Sequence, residues 1–187
     1  MSKKATDANI IRLFPLATKQ DKESVLAKLM DAYHDKLYIV VRRMVVIHED
    51  TDDLLQEIWL KVWQNLDKFS GNSQIYTWIY RIAINETLQF LKRKKRFLFI
   101  ETNNYQKEQI QAVYQGKYIS GDEIQLKLHE AMLLLPEKQR AVFQMRYFDE
   151  LKFKDIAEIL KLSEGGVKAN YHHAVKKIEN FIKTSID

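Results

Sequence analysis

The 187-residue chain contains no cysteine, which excludes disulfide staples, thiolate zinc sites and a cysteine nucleophile together. Proline occurs only as Pro15 and Pro136, and there are five glycines. A sandwich or barrel needs many tight turns, and turns draw heavily on these two residues, so an all-β architecture is poorly supported. Aliphatic runs are short. Tyr38-Ile39-Val40-Val41 is among the longest, far below the roughly 20 apolar residues that cross a bilayer. The opening Met1-Ser2-Lys3-Lys4-Ala5-Thr6-Asp7 leads into no apolar signal core. Together these absences predict a cytoplasmic, helical protein without direct membrane insertion.

What is present is ordinary globular material. Hydrophobic residues make up 46% and charged residues 29%, enough for a packed core. Thirty Lys and Arg against 25 Asp and Glu leave a formal charge of +5, whose meaning depends on where the excess lies.

Apolar spacings of three and four through Val25, Leu26, Leu29, Tyr33, Leu37, Val40, Val41 and Met44 predict a long amphipathic helix ending near Ile47. His48-Glu49-Asp50-Thr51 interrupts it. Asp50 or Thr51 then suits the cap of a second helix carrying Leu55, Ile58, Trp59, Val62 and Leu66 inward as far as Lys68. The polar stretch Ser70-Gly71-Asn72-Ser73-Gln74 predicts a loop. After it, Trp78, Ile79, Ile82, Ala83 and Phe90 mark a third helix running into Lys92-Arg93-Lys94-Lys95-Arg96. Residues 97–123, with Asn103, Asn104, Gln106, Gln109, Gln111, Gly116 and Gly121, predict a linker that is at most partly helical.

Helical spacing resumes at Ile124, Leu128, Ala131 and Leu135, and Pro136 suits the first turn of a helix holding Ala141, Val142, Met145 and Phe148. Phe153 to Leu160 forms a short helix, Lys161-Leu162-Ser163 a turn, and Ser163 a cap for the last helix, which together make a helix-turn-helix. The expected fold is therefore all-α: a tail at 1–23, a three-helix bundle at 24–96, the linker, and a helix-turn-helix domain at 124–187.

In the last helix Val167, Tyr171, Ala174, Ile178 and Phe181 form the buried stripe. The other face carries Lys168, Asn170, His172, His173, Lys176 and Lys177, a set suited to phosphates and base edges in a major groove about as wide as a helix. Gly165 and Gly166, in its first turn, leave backbone N–H groups that could approach DNA closely. Two or three cations of the block from Lys92 to Arg96 are explained by the helix C-terminal dipole. Five exceed that need, so Lys92 and Arg93 are expected to meet a polyanion. The acidic group Glu49, Asp50, Asp52, Asp53 and Glu57 is explained by the N-terminal dipole of the second helix. Trp59 reads as core, whereas Gln56, Leu60 and Trp63 border a possible docking surface. The five histidines have no metal-binding spacing, and no phosphate loop, nucleophile elbow or catalytic triad stands out. The expectation is a non-enzyme without metal or cofactor.

Asp52-Asp53-Leu54-Leu55-Gln56-Glu57-Ile58-Trp59-Leu60-Lys61-Val62-Trp63, with Phe69-Ser70-Gly71 and Thr77-Trp78-Ile79-Tyr80-Arg81-Ile82-Ala83-Ile84-Asn85, resembles region 2 of extracytoplasmic-function (ECF) sigma factors. Leu134-Leu135-Pro136-Glu137-Lys138-Gln139-Arg140-Ala141-Val142-Phe143, with Ile156-Ala157-Glu158-Ile159-Leu160 and Ser163-Glu164-Gly165-Gly166-Val167-Lys168, resembles region 4 of the same family.

The resemblance implies an initiation factor that binds core RNA polymerase, reads the minus-35 duplex and melts the minus-10 element, with an anti-sigma factor as a further partner. It implies that Asp53, Gln56, Glu57, Leu60 and Trp63 face the polymerase. Ser70, Gly71, Asn72 and Ser73 would receive an unstacked base, and Trp78, Arg81 and Asn85 would support the opened strand. Region 4 reads the minus-35 element in that family, and the first turn and polar face of the last helix then offer Ser163, Glu164, Gly165, Gly166, Lys168, Asn170, His172, His173 and Lys176 as the expected contacts, although many relatives carry arginine at the positions of Asn170 and His173. A helix-turn-helix regulator that is not a sigma subunit is the alternative, but it leaves the tryptophan-rich bundle without a role.

Overall fold

The computed structural model describes residues 18–97, 104–114 and 123–185, and their regular structure is entirely helical. Helix α1, Lys19–Val45, starts inside the segment expected to be a tail. The Thr18 hydroxyl accepts the Asp21 N–H at 3.1 Å while the Asp21 carboxylate accepts the Thr18 N–H at 2.9 Å, a capping box that satisfies two otherwise open donors. Val46 ends the helix at φ +70°. A β-branched residue rarely adopts that conformation, and full burial holds it there.

This sharp joint lets the chain re-enter a helix at once, so α2, His48–Asn65, starts earlier than expected. Its N-cap is Ile47, with no side-chain cap. The two residues expected to cap it do other work: the Thr51 hydroxyl donates to the Ile47 carbonyl at 2.6 Å, and Asp50 pairs with Lys94 at 2.9 Å. A 3₁₀ turn at Leu66–Lys68 leads through the 70–74 loop to α3, Ile75–Phe97. Leu29, Leu37, Ile58, Val62, Ile79 and Ala83 are among the buried side chains that close the three-helix bundle, and Trp59 belongs to that core as expected.

The expected linker contains α4, Asn104–Tyr114; Gly116 and Gly121 lie outside the described residues. Helix α4 is docked, since buried Gln109 donates to the Val45 carbonyl at 2.6 Å. Gln106 likewise donates to the Leu133 carbonyl at 2.7 Å. Val113 packs with Val46 and Leu133.

Then follow α5, Glu123–Leu133; α6, Glu137–Tyr147; α7, Phe153–Leu160; and α8, Glu164–Thr184. Pro136 is the N-cap of α6 and not part of its first turn. Ile124, expected on the packed face, is 67% exposed, whereas Leu128, Ala131 and Leu135 pack with Ile178 and Phe181 of α8. Between α7 and α8, Lys161 takes a left-handed conformation (φ 53°). The Leu162 N–H returns to the Ala157 carbonyl at 3.0 Å, closing the turn as glycine commonly does.

The two halves share a core. Val40 and Met44 of α1, with Tyr80, Ile84 and Leu91 of α3, pack against Ala141, Val142 and Met145 of α6, Ile156 and Ile159 of α7, and Val167 of α8. Polar groups pin the same seam. The Tyr80 hydroxyl donates to Asp149 at 2.5 Å, Arg43 lies 3.7 Å from the same carboxylate, and Gln144 donates to the Val40 carbonyl at 2.7 Å. Burial pushes the Asp149 carboxyl above the usual range, with Tyr80 and Arg43 opposing the shift. Burial and the adjacent Asp149 carboxylate push the Tyr80 phenol well up, so Tyr80 remains a donor at neutral pH.

Ser163 caps α8 by accepting the Gly166 N–H at 3.1 Å, whereas a Cβ at Gly165 would meet nothing within 4 Å. In denaturant titrations Ser163→Ala should lose about 1 kcal/mol, and Gly165→Ala should be neutral or gain up to about 1 kcal/mol.

Candidate nucleic-acid interface

Helix α8 is oriented by its buried residues Val167, Ala174 and Ile178, with Tyr171 and Phe181 half-buried beside them. That seating turns Lys168, His172, His173, Lys176 and Lys177 to solvent. Not all of this face is uncommitted. Lys168 pairs with Glu164 at 2.6 Å, and Lys177 donates to Gln139 at 3.1 Å. Half-buried Asn170 donates to the Gly166 carbonyl at 2.7 Å, so one amide hydrogen is engaged within its own helix. The His172 and His173 rings lie 6.0 Å apart. Of the glycine pair expected to bare its backbone, only Gly165 does so, because the cap at Ser163 takes the Gly166 N–H.

In the first half the 70–74 loop turns at Gly71, whose φ of +74° favours glycine. Ser70, Gly71 and Asn72 are exposed and Ser73 is half-buried. The loop is anchored by Phe69, whose ring centroid lies 5.5 Å from that of Trp78. The successive spacings from Trp78 to Arg81, on to Asn85 and on to Lys92 are three, four and seven residues, which places all four on one side of α3. Trp78, Asn85 and Lys92 line a groove with Lys61 and Lys68. These last two lysines escaped sequence reasoning, although their spacing of seven across the end of α2 and its 3₁₀ turn would have indicated one side. Arg81 lies beside the groove, 3.8 Å from Glu158 of α7.

The cation block does not act as a unit. Arg93 stands about 100° round the helix from Lys92 and pairs with Glu57 of α2 at 3.2 Å, while Lys94 pairs with Asp50. The acidic start of α2 thus neutralises part of the block, an explanation that position along the sequence does not suggest. Side chains of Lys95 and Arg96 lie outside the described residues.

Asp53, Gln56, Glu57 and Leu60 share an exposed face of α2, with Leu60 56% exposed. Trp63 is half-buried at the edge of that face, and the Lys22 ammonium sits 4.8 Å from its ring centre. Among the described residues no cluster of three or more His, Asp or Glu side chains could hold a metal, and no helix is long and apolar enough to cross a membrane.

Comparison with known proteins matches residues 29–97 to sigma-70 region 2 and residues 125–178 to sigma-70 region 4. The chain is 31% identical over 162 residues to the ECF RNA polymerase sigma factor SigW of Bacillus subtilis, covering 82% of this chain and 87% of that protein. The chain belongs to the ECF sigma factors. It is a transcription initiation factor and not an enzyme. Two solved structures share the fold. One is the sigma factor RpoE in complex with the anti-sigma factor NepR from Bartonella quintana, with TM-score 0.62, 19% identity, and 89% of this chain and 98% of that chain covered. The other is CnrH in complex with the cytosolic domain of CnrY, with TM-score 0.65, 16% identity, and 96% and 98% covered.

The Glu57–Arg93 pair joins a residue expected to face polymerase to one expected to face DNA, yet both side chains are about half exposed. Glu57→Gln and Arg93→Gln should each change unfolding stability by less than about 1 kcal/mol, measured by urea titration, so both residues are available to larger partners.

Proposed function

We propose that this sigma factor binds core RNA polymerase through the exposed α2 face around Gln56 and Leu60. It directs the enzyme to promoters by reading the minus-35 duplex with α8 and holding the opened minus-10 strand with the 70–74 loop and α3. The observation that carries this reading is the pairing, on one chain, of a capped helix-turn-helix with a separate exposed loop beside an aromatic, cation-lined groove. A helix-turn-helix regulator needs only the first.

Strand opening has a physical requirement. Unstacking a base costs a few kcal/mol, and the protein returns it through a pocket for the base and cations along the released backbone. Ser70, Gly71, Asn72 and Ser73 supply the polar loop; Trp78 supplies a stacking surface, and Arg81, Lys92, Lys61 and Lys68 supply the charge. Arg93 can join them once it leaves Glu57. On α8, Lys176 and Lys168 suit phosphates, His172 and His173 the groove floor or its wall, and Asn170 a base edge through the part of its amide not turned to Gly166. Gly165, bare and exposed in the first turn, allows close backbone approach, with Ser163, Glu164 and Gly166 shaping that turn. Asp53, Glu57 and Trp63 flank the polymerase face. The protein acts in the cytoplasm, and because both structural neighbours are sigma factors bound to anti-sigma factors, an anti-sigma factor is included among its partners.

Two experiments test the halves of this reading separately. Leu60→Glu should abolish copurification with core polymerase while leaving the circular dichroism spectrum unchanged; retained binding by the folded variant would remove α2 from the interface. Asn72→Ala combined with Ser73→Ala should still recruit polymerase to promoter DNA but lose most permanganate reactivity of minus-10 thymines. Wild-type reactivity there would show that the loop is not the melting pocket.

A further inference from the structure

Helix α8 carries two histidines side by side, and the fold gives them different company. Successive residues stand about 100° apart round a helix, so His172 and His173, whose rings lie 6.0 Å apart, open onto opposite flanks of the exposed face. His172 stands midway between Lys168 and Lys176, four residues from each, which puts the three in one row along the helix. The Lys168 ammonium also lies 6.0 Å from the centre of the Phe153 ring, which fixes that row on the flank next to α7. His173 shares the other flank with Asn170 and Lys177, and Lys177 ties that flank to α6 through Gln139.

The two flanks meet different parts of a duplex. In a helix-turn-helix the second helix enters the major groove while the first crosses the backbone, so the flank beside α7 is the one that runs along phosphates. Among the described residues neither imidazole has a hydrogen bond or an ion pair; each ring touches only the other. The surrounding charges are mostly positive. On α8, Glu164 is taken by Lys168 at 2.6 Å, and Glu179 lies seven residues beyond His172. From α7, Lys152 and Lys154 flank Phe153, while Asp155 lines the cleft shared with Arg81. From α6, Glu137 and Lys138 adjoin Gln139, on the other flank. Lys127 of α5 sits at the far end of α8, bonded to the Ser185 carbonyl.

Histidine is the one side chain whose ordinary titration falls between about pH 5 and 8, and a phosphate placed beside an imidazole favours its charged form. We infer that His172 is a conditional phosphate contact: α8 takes up a proton there as it docks on the minus-35 duplex. Promoter affinity is then gained as the pH falls through the histidine range and lost as it rises again. Below that range the row from Lys168 to Lys176 presents three cations at intervals of one turn, and above it two. The inference rests on the minus-35 reading proposed above and assigns to it a ligand atom, the phosphate oxygen, and a charge state.

His172 is exposed, so its substitution spares the core. Assembled with core polymerase, the wild type, His172→Gln, His172→Arg and His173→Gln are titrated with a fluorescent promoter duplex at about pH 6 and about pH 8, over a series of salt concentrations. Taking the ratio of each variant to the wild type cancels titrations elsewhere in the assembly. At about 0.1 M salt the wild type should bind about five- to tenfold more tightly than His172→Gln at the lower pH and equally at the higher. Its log–log salt slope should be steeper by roughly one unit at the lower pH alone. His172→Arg, a permanent cation, should hold the tighter binding at both values, and His173→Gln should keep the wild-type pH profile. Calorimetry at neutral pH, in buffers of different ionisation enthalpy, should show proton uptake on binding by the wild type and none by His172→Gln.

A wild-type pH profile in His172→Gln, or a profile lost only in His173→Gln, would overturn the assignment. Lys176→Ala separates that failure from failure of the minus-35 reading. If it weakens binding at both pH values, α8 docks on the duplex and only the proton contact falls. If it leaves affinity unchanged while His172→Gln does the same, both fall.

Discussion

Two helices with two buried sides each hold the molecule together. Along α1, Val25, Leu29, Leu37 and Val41 face the three-helix bundle, while Val40 and Met44 face the other half. Along α3, Ile75, Ile79 and Ala83 face the bundle, while Tyr80, Ile84 and Leu91 face outward from it into the second core. Burying a side chain of this size is worth roughly 1.5–3 kcal/mol, so the second seam is a substantial contribution and not a loose touch. The position of the Trp78 groove follows from it, since α3 carries the stripe proposed for the opened strand on its remaining side.

The seam is selective because it is not purely apolar. Apolar side chains tolerate several packings of similar volume, but Asp149 must find Tyr80 and Arg43, and Gln144 must find a particular main-chain carbonyl. Buried polar groups without partners are costly, so alternative registers of the two halves are penalised. The Gln144 side-chain oxygen is itself buried and has no hydrogen-bond partner among the described residues, a local cost that the packing around it outweighs. Cohesion comes from the hydrocarbon and registry from the polar groups.

Much of this was legible from the amino acids. The helix-turn-helix could be located to the residue because its signals are local: Ser163 caps, the apolar stripe of α8 repeats regularly, and α7 is bounded by polar residues. The 70–74 loop was legible for the same reason. What escaped reading depends on partners distant in sequence. Periodicity reports that Val40 and Met44 are buried, but not that they leave the core of Leu37 and Val41 for another. Gln106 and Gln109 look like linker residues because a polar side chain that satisfies a distant carbonyl has no sequence signature. The start of α2 was misread because Asp50 and Thr51 are good caps in isolation, whereas the Val46 joint made them part of the first turn. The cation block lost its simple meaning once Asp50 and Glu57 stood across from Lys94 and Arg93.

The shared core also bears on the fate of the molecule. Separating the halves uncovers Val40, Met44, Ile84, Val142, Met145, Ile156 and Ile159 together, a contiguous greasy patch of the kind that soluble monomers seldom tolerate. An opened chain without a partner is therefore prone to aggregation and accessible to proteases, while the closed chain hides the same surface. The contact that joins the halves thus also protects the chain, and a molecule whose halves had parted would last only as long as another surface covered what the second half had covered.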